Sequence, residues 1–119
     1  MEYMLINHTD PTVATPGPGE AGFEEFMGRW MAYNQKLIEG GHWVAGASLA
    51  PPDTATTIQL SNYEAVGTTD GPYAETKEVF SGFYLIKADD LDEALALAEA
   101  MPIGSGFLEV RPVAFRPDA

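Results

Sequence analysis

The sequence predicts one α+β domain built from two strand–helix–strand units, and three observations carry that prediction. A chain of 119 residues holds one hydrophobic core comfortably and two poorly, so residues 1–119 are read as a single domain. Two stretches repeat apolar residues at spacings of three and four, each ended by a glycine pair or a proline. Around them lie short runs with the alternation and β-branched or aromatic content of strands.

Glu2 to His8 is an apolar run suited to a first strand, and Thr9 to Gly19, rich in proline and glycine and without periodicity, is a loop. From Glu20 the pattern is helical. Phe23, Phe26, Met27, Trp30, Met31, Asn34, Leu37 and Ile38 share a stripe, Glu20, Glu24 and Glu25 lie near the positive helix start, and Gly40-Gly41 supplies the stop. Met27, Trp30 and Met31 are expected in the core rather than around a cofactor. His42 to Leu49 reads as a second strand, with Trp43, Ala45, Ala47 and Leu49 alternating against His42, Val44, Gly46 and Ser48. Pro51-Pro52-Asp53 breaks it. Thr56 to Leu60 and Tyr63 to Thr68 flank Ser61-Asn62 and read as a hairpin about that pair.

Phe80 to Ala88 is the strongest strand, with Phe80, Tyr84 and Ile86 expected on one face and Val79, Phe83 and Leu85 on the other, so both faces need burial. Asp90 to Glu93 has the form of a capped helix start, continued by Leu91, Ala94, Leu95, Ala98 and Met101 at helical spacing and ended by Pro102. Gly104-Ser105-Gly106 turns the chain into a last strand, Phe107 to Val113, before a polar tail ending in Asp118 and Ala119. With the hairpin as an insertion, this is the ferredoxin-like plan, a βαβ unit used twice. Right-handed crossovers place both helices on one face of the sheet, and the apolar face opposite is expected to be covered by a second copy in a closed two-fold dimer.

Composition removes several classes of function. The absence of cysteine excludes disulfides, thiolate metal sites and cysteine nucleophiles. No run is long enough for a membrane helix, and the first residues lack the basic and apolar regions of a signal peptide, so the cytoplasm is the expected compartment. Six basic residues against 18 acidic ones give a formal charge of -12, which repels a phosphate backbone. The six, Arg29, Lys36, Lys77, Lys87, Arg111 and Arg116, are scattered, and neither nucleic acid nor membrane is expected as a partner. No phosphate loop, nucleophile elbow or dinucleotide fingerprint is present, and no cofactor is expected.

The segment Thr68-Thr69-Asp70-Gly71-Pro72-Tyr73-Ala74-Glu75-Thr76-Lys77-Glu78 resembles the signature of the DGPF branch of the YCII-related family, with Tyr73 where phenylalanine is usual. Ser81-Gly82-Phe83-Tyr84, Leu91-Asp92-Glu93-Ala94 and Glu109-Val110-Arg111-Pro112-Val113 are similar to its later blocks. The resemblance spans nearly the whole chain. It implies a dimeric α/β-barrel in which paired sheets enclose a cleft for a small molecule. Some relatives act on muconolactone-type compounds, which implies lyase- or isomerase-like proton transfer. Some of the family are thought to use a histidine–aspartate pair with the histidine on the first helix, a position that Arg29 occupies here. Other members resemble accessory proteins encoded beside extracytoplasmic-function sigma factors, which implies a regulatory protein partner instead.

Each candidate residue has a plain structural reading beside a functional one. Asp70-Gly71-Pro72 is a turn on either. In the functional reading it presents the Asp70 carboxylate, as base or anchor, and the Tyr73 hydroxyl at a cleft. Glu75, Lys77 and Glu78 form a local ion-pair set, or, as the family resemblance implies, Glu75 and Lys77 contact a ligand, with Lys77 taking an anionic group. His42 is a packed ring or, beside an acid, the catalytic proton carrier, and His8 has the same two readings. The two histidines lack the spacing of metal ligands, so no metal is expected. Arg111 pairs with Glu109 or clamps a substrate.

Overall fold

The computed structural model describes residues 1–117, and Asp118 and Ala119 of the expected tail lie outside the described residues. The elements are β1 (Glu2–Thr9), α1 (Phe23–Glu39), β2 (Trp43–Ser48), a short 3-10 turn (Pro52–Thr54), β3 (Thr56–Ser61), β4 (Glu64–Asp70), β5 (Val79–Lys87), α2 (Leu91–Glu99) and β6 (Gly106–Pro112). Four strands pair antiparallel in the order β2-β5-β1-β6, and β3 with β4 forms a separate two-stranded sheet. The fold is thus α+β. With the hairpin set aside, its strand order agrees with the ferredoxin-like plan.

Alternation along β1 decides which side chains enter the core. Tyr3 and Leu5 meet Tyr33 and Leu37 of α1, Ala94 and Ala98 of α2, Ile86 of β5 and Met101 in one buried cluster. Ile6 and Leu85 are also buried but outside that cluster, on the sheet face turned away from the helices. Small residues at Ala94 and Ala98 let α2 lie close to the sheet. Asp90 caps α2 by accepting the Glu93 N–H at 2.9 Å, and the Glu93 carboxylate accepts the Asp89 N–H at 3.0 Å, close to the reciprocal pattern that the sequence suggests.

α1 begins at Phe23 rather than Glu20, because Gly22 takes a left-handed conformation (φ 83) that cannot continue a helix. Its buried stripe is also narrower than expected. At about 100° per residue, Phe26, Leu37, Trp30 and Asn34 lie within roughly 100° of Tyr33 and face the sheet, while Met27, Ile38 and Met31 fall on the stripe's flank. Those three are exposed, Met31 by 65%, which corrects the core assignment of Met27 and Met31. Leu91 and Leu95 of α2 are likewise exposed, since the alanines make the contact.

Two local irregularities also depart from expectation. Asn62 and Tyr63, at φ 51 and 66, are both left-handed and form the hairpin turn, one residue beyond the expected Ser61-Asn62. In β5 the register steps from Asn7↔Gly82 to His8↔Phe80, leaving Ser81 as an extra residue. The bulge turns Phe80 onto the face of Phe83 and Leu85, away from Tyr84 and Ile86 with which alternation had grouped it. The Thr9 and Ser81 hydroxyls meet at this bulge.

An aromatic cluster joins the helices to the sheet. Tyr33 stacks on Tyr84 with ring centroids 5.9 Å apart, and Trp43 and Trp30 meet Tyr84 edge-on. The Tyr33 hydroxyl donates to the Leu97 carbonyl at 2.8 Å, and Tyr84 donates to Asn34 Oδ1. Burial pushes the Tyr33 phenol up to about 12 and raises that of Tyr84. The folded state therefore favours the neutral phenol. Its stabilisation is complete below pH 10, the ordinary tyrosine value, and is lost as pH rises through about 12. An absorbance titration is expected to show Tyr33 and Tyr84 ionising above pH 10, the ordinary tyrosine value. Tyr33→Phe is expected to cost about 1 kcal/mol near neutrality and to flatten the alkaline loss of stability.

Candidate functional site

The structure builds its most chemical arrangement on the sheet face away from the helices, at the end where β1 finishes and β5 and β6 begin. Because Tyr3 and Leu5 point toward the helices, Met4, Ile6 and His8 point away from them. By the same alternation and register, Phe107, Glu109 and Arg111 of β6 and Phe80, Phe83 and Leu85 of β5 share that face. His8 Nε2 lies 2.6 Å from Glu109 Oε1, and its ring stands edge-on to Phe80 with centroids 6.0 Å apart. Phe107 is the cross-strand neighbour of His8 on β6. The His8 side chain is 26% exposed, sheltered but reachable.

This pair has a definite chemical capacity. A carboxylate accepts a hydrogen bond, so a neutral His8 gives its Nε2–H to Glu109 and keeps its Nδ1 lone pair available as a proton acceptor. The neighbouring aromatic rings supply an apolar wall against which a small molecule can lie.

The loop of residues 71–78, between β4 and β5, feeds β5 at the same end. Lys77 is near enough to Asp10, two residues beyond His8, to act on its charge. The Asp10 carboxyl is held below its ordinary value first by the Thr12 hydroxyl, at 2.6 Å, and Thr12 N–H, at 2.9 Å, and more weakly by Lys77. Asp70 closes β4 opposite Thr56. The turn after it is pinned by Gly71 N–H to the Ala55 carbonyl and by the Thr57 hydroxyl to the Gly71 carbonyl, both 2.7 Å. Asp70, Tyr73, Glu75 and Lys77 are all exposed. Among the described residues, Glu75, Lys77 and Glu78 form no ion pair with one another, against expectation. Alternating charges on an irregular loop do not share a face as they would on a helix.

His42 lies at the other end of the sheet. Its carbonyl receives the Lys87 N–H, its Nδ1 donates to the Lys87 carbonyl at 2.8 Å, and Glu93 is 3.9 Å away. Glu2, Lys87, Asp89, Glu93 and Arg116 join it around an open cleft of about 700 Å³, which none of Asp70, Tyr73, Glu75, Lys77 or Arg111 lines. Glu93 is engaged in the α2 cap. Arg116 forks onto Glu2 at 2.8 and 3.0 Å and holds that carboxyl below its ordinary value. The nine residues of β5 separate this end from the loop of residues 71–78, a span of about 25 Å. Asp70 lines no part of the cleft beside His42, so the structure does not bring the two together as one catalytic pair.

Glu109 goes to His8, so the expected Glu109–Arg111 ion pair is not formed, and Arg111 is exposed on the face away from the helices. Arg29 pairs with Glu25 at 2.7 Å, both exposed on α1, on the other side of the sheet from that face. Such an exposed helical pair contributes only about 0.3–0.5 kcal/mol. Among the described residues, no three His, Asp or Glu side chains gather closely enough to hold a metal, and no helix is long and apolar enough to cross a membrane.

Nothing in the local sequence joins His8 to Glu109, which lies 101 residues away. The usable signal is that both are polar residues at alternating positions otherwise apolar, after Met4 and Ile6 on one strand and after Phe107 on the other.

An antiparallel sheet with two helices on one face and a polar pair set in the other places this chain among α+β proteins with an open sheet face. Residues 1–115 match the YCII-related domain. The chain is 38% identical over 118 residues to the uncharacterized protein R00369 of Rhizobium meliloti (strain 1021), covering 96% of this chain and 93% of that protein. It belongs to the YCII-related family.

Proposed function

We propose that the protein binds a small carboxylate-bearing organic molecule on the open sheet face, within a cleft completed by a second copy, and that His8 transfers a proton on it. The observation that carries this reading is the 2.6 Å contact between His8 and Glu109 beside the Phe80 ring. Glu109 fixes the tautomer of His8. The Nδ1 atom takes a proton from an acidic carbon and returns it to the same molecule, as lyase- or isomerase-like chemistry requires. Lys77 and Arg111 are cations suited to a carboxylate in a chain that otherwise repels one. Asp70 and Tyr73 act as polar anchors at the rim.

Thermal melting of the wild type against a panel of small organic acids tests this reading, because a ligand that binds only the native state raises the melting temperature. A hit is expected to be weakened by combining Asp70→Asn with Lys77→Ala. Any turnover of that compound is expected to fall about 10²–10⁴-fold in His8→Gln and to persist in His42→Gln. If turnover survives in His8→Gln, His8 is not the base. If no panel member shifts the wild type by more than about 1 °C at millimolar concentration, weight passes to the rival reading. That rival is a non-catalytic module that docks on a regulatory protein, such as an extracytoplasmic-function sigma factor, and its support is the exposed hairpin.

A further inference from the structure

We infer that the β3–β4 hairpin is an exchanged arm: in a two-fold pair, each copy lays its hairpin on the open sheet face of the other and walls in the His8–Glu109 end. The hairpin is isolated from its own body. It packs substantially on neither helix and on no strand of the four-stranded sheet. The radius of gyration is 16.4 Å, against about 13–14 Å for a compact chain of this length, as a projecting element requires. A lone two-stranded hairpin is marginal in water, so one with strands of six and seven residues needs a surface to lie on.

Its two faces differ. The register puts Ile58 and Leu60 with Ala65 and Thr68 on one side, and Thr57 and Gln59 with Thr69 on the other. Ile58 and Leu60 are 57% and 69% exposed. A hairpin meant for solvent has no use for that apolar side.

The matching surface belongs to the same chain. Phe80 and Phe107 are 44% and 65% exposed on the open sheet face, and the hairpin does not cover them. Exchange between two copies buries both surfaces at once, as an isologous contact does. The exposed parts of Ile58, Leu60, Val66, Phe80 and Phe107 amount to roughly 500 Å² per copy, and about 1,000 Å² over the pair reaches the lower bound for a specific interface. Charge selects the same segment. In a chain of net charge -12, residues 54–63 carry no charged side chain, so this is where two copies repel each other least.

The walling of His8 rests on the ligand reading above, whereas the exchange does not. The double variant Ile58→Ser with Leu60→Ser tests both, because these side chains are already exposed in one copy and their replacement leaves its far-UV spectrum unchanged. Light scattering is expected to show a wild-type dimer at micromolar concentration and a dissociation constant raised about 100-fold in the variant. The hairpin amides are expected to exchange with deuterium slowly in the dimer and freely in the variant. With only two histidines, ring C2–H exchange by NMR reads each separately. His8 is expected to be protected in the dimer and not in the variant, with His42 the same in both. A monomeric wild type, or a dimer indifferent to the double substitution, overturns the exchange. Equal His8 exchange in both proteins overturns the wall, whatever the ligand panel gives.

Discussion

Replacing Gly106 by alanine is expected to destabilise the protein by about 3 kcal/mol and to displace His8 from Glu109. Gly106 opens β6 at φ 149, a backbone conformation that L side chains rarely adopt, and a Cβ there would run into the His8 carbonyl oxygen and lie 3.3 Å from Thr9 Cα. Both partners are backbone, so neither can swing aside as the end of a side chain would. Relief requires β6 to back away from β1 where Glu109 must reach His8. Gly104, with nothing within 4 Å of an added Cβ, is the control, and Gly104→Ala is expected to change stability by less than about 0.5 kcal/mol. Urea denaturation of the two variants measures the difference. Equal midpoints would mean that the close approach of β6 to β1 carries no weight.

The second large effect is expected at Ile86, which is fully buried between the sheet and both helices. Ile86→Ala removes three heavy atoms from a packed core and leaves a cavity, at a cost of about 3–4 kcal/mol. Ile58→Ala removes the same atoms from the exposed side of the hairpin and is expected to cost under about 0.5 kcal/mol in the isolated chain. A domain of this size has about 5–15 kcal/mol in total, so the first substitution takes a large share of it. Urea denaturation at low protein concentration separates the two isoleucines. If they cost the same, the assignment of the core to the helix-covered face is wrong.

Much of the fold was legible because its signals are local. The capped start of α2 at Asp90, the stop of α1 at Gly40 and the apolar runs of β1 and β5 each depend on residues within a few positions. The failures are places where a distant contact overrides the local pattern. Ser81 is surplus only because β1 and β5 adopt a particular register, and that single residue moves Phe80 to the other face. Met27 and Met31 read as core because a stripe of apolar residues does not disclose how much of its width a sheet will cover. The candidate site was the least legible part. His8 and Glu109 come from opposite ends of the chain, and only the strand order β5-β1-β6 makes them neighbours. His42 and Asp70 are both chemically suitable, but suitability says nothing about whether the fold brings them to one cleft.

The central place of β1 fixes a schedule for synthesis. Its hydrogen-bonding partners are β5 and β6, so the strand that leaves the ribosome ahead of them must wait while α1, β2 and the hairpin are made. At about 5–20 residues per second, that wait is on the order of 4 to 14 s. Throughout it, Tyr3-Met4-Leu5-Ile6 is an apolar segment with both backbone edges unpaired, the kind of stretch that chaperones bind. Local structure in α1 can form during translation, but the four-stranded sheet cannot close until β6 has emerged. A circular permutant that places β1 after β6 removes the wait and leaves every strand pairing of the finished sheet unchanged.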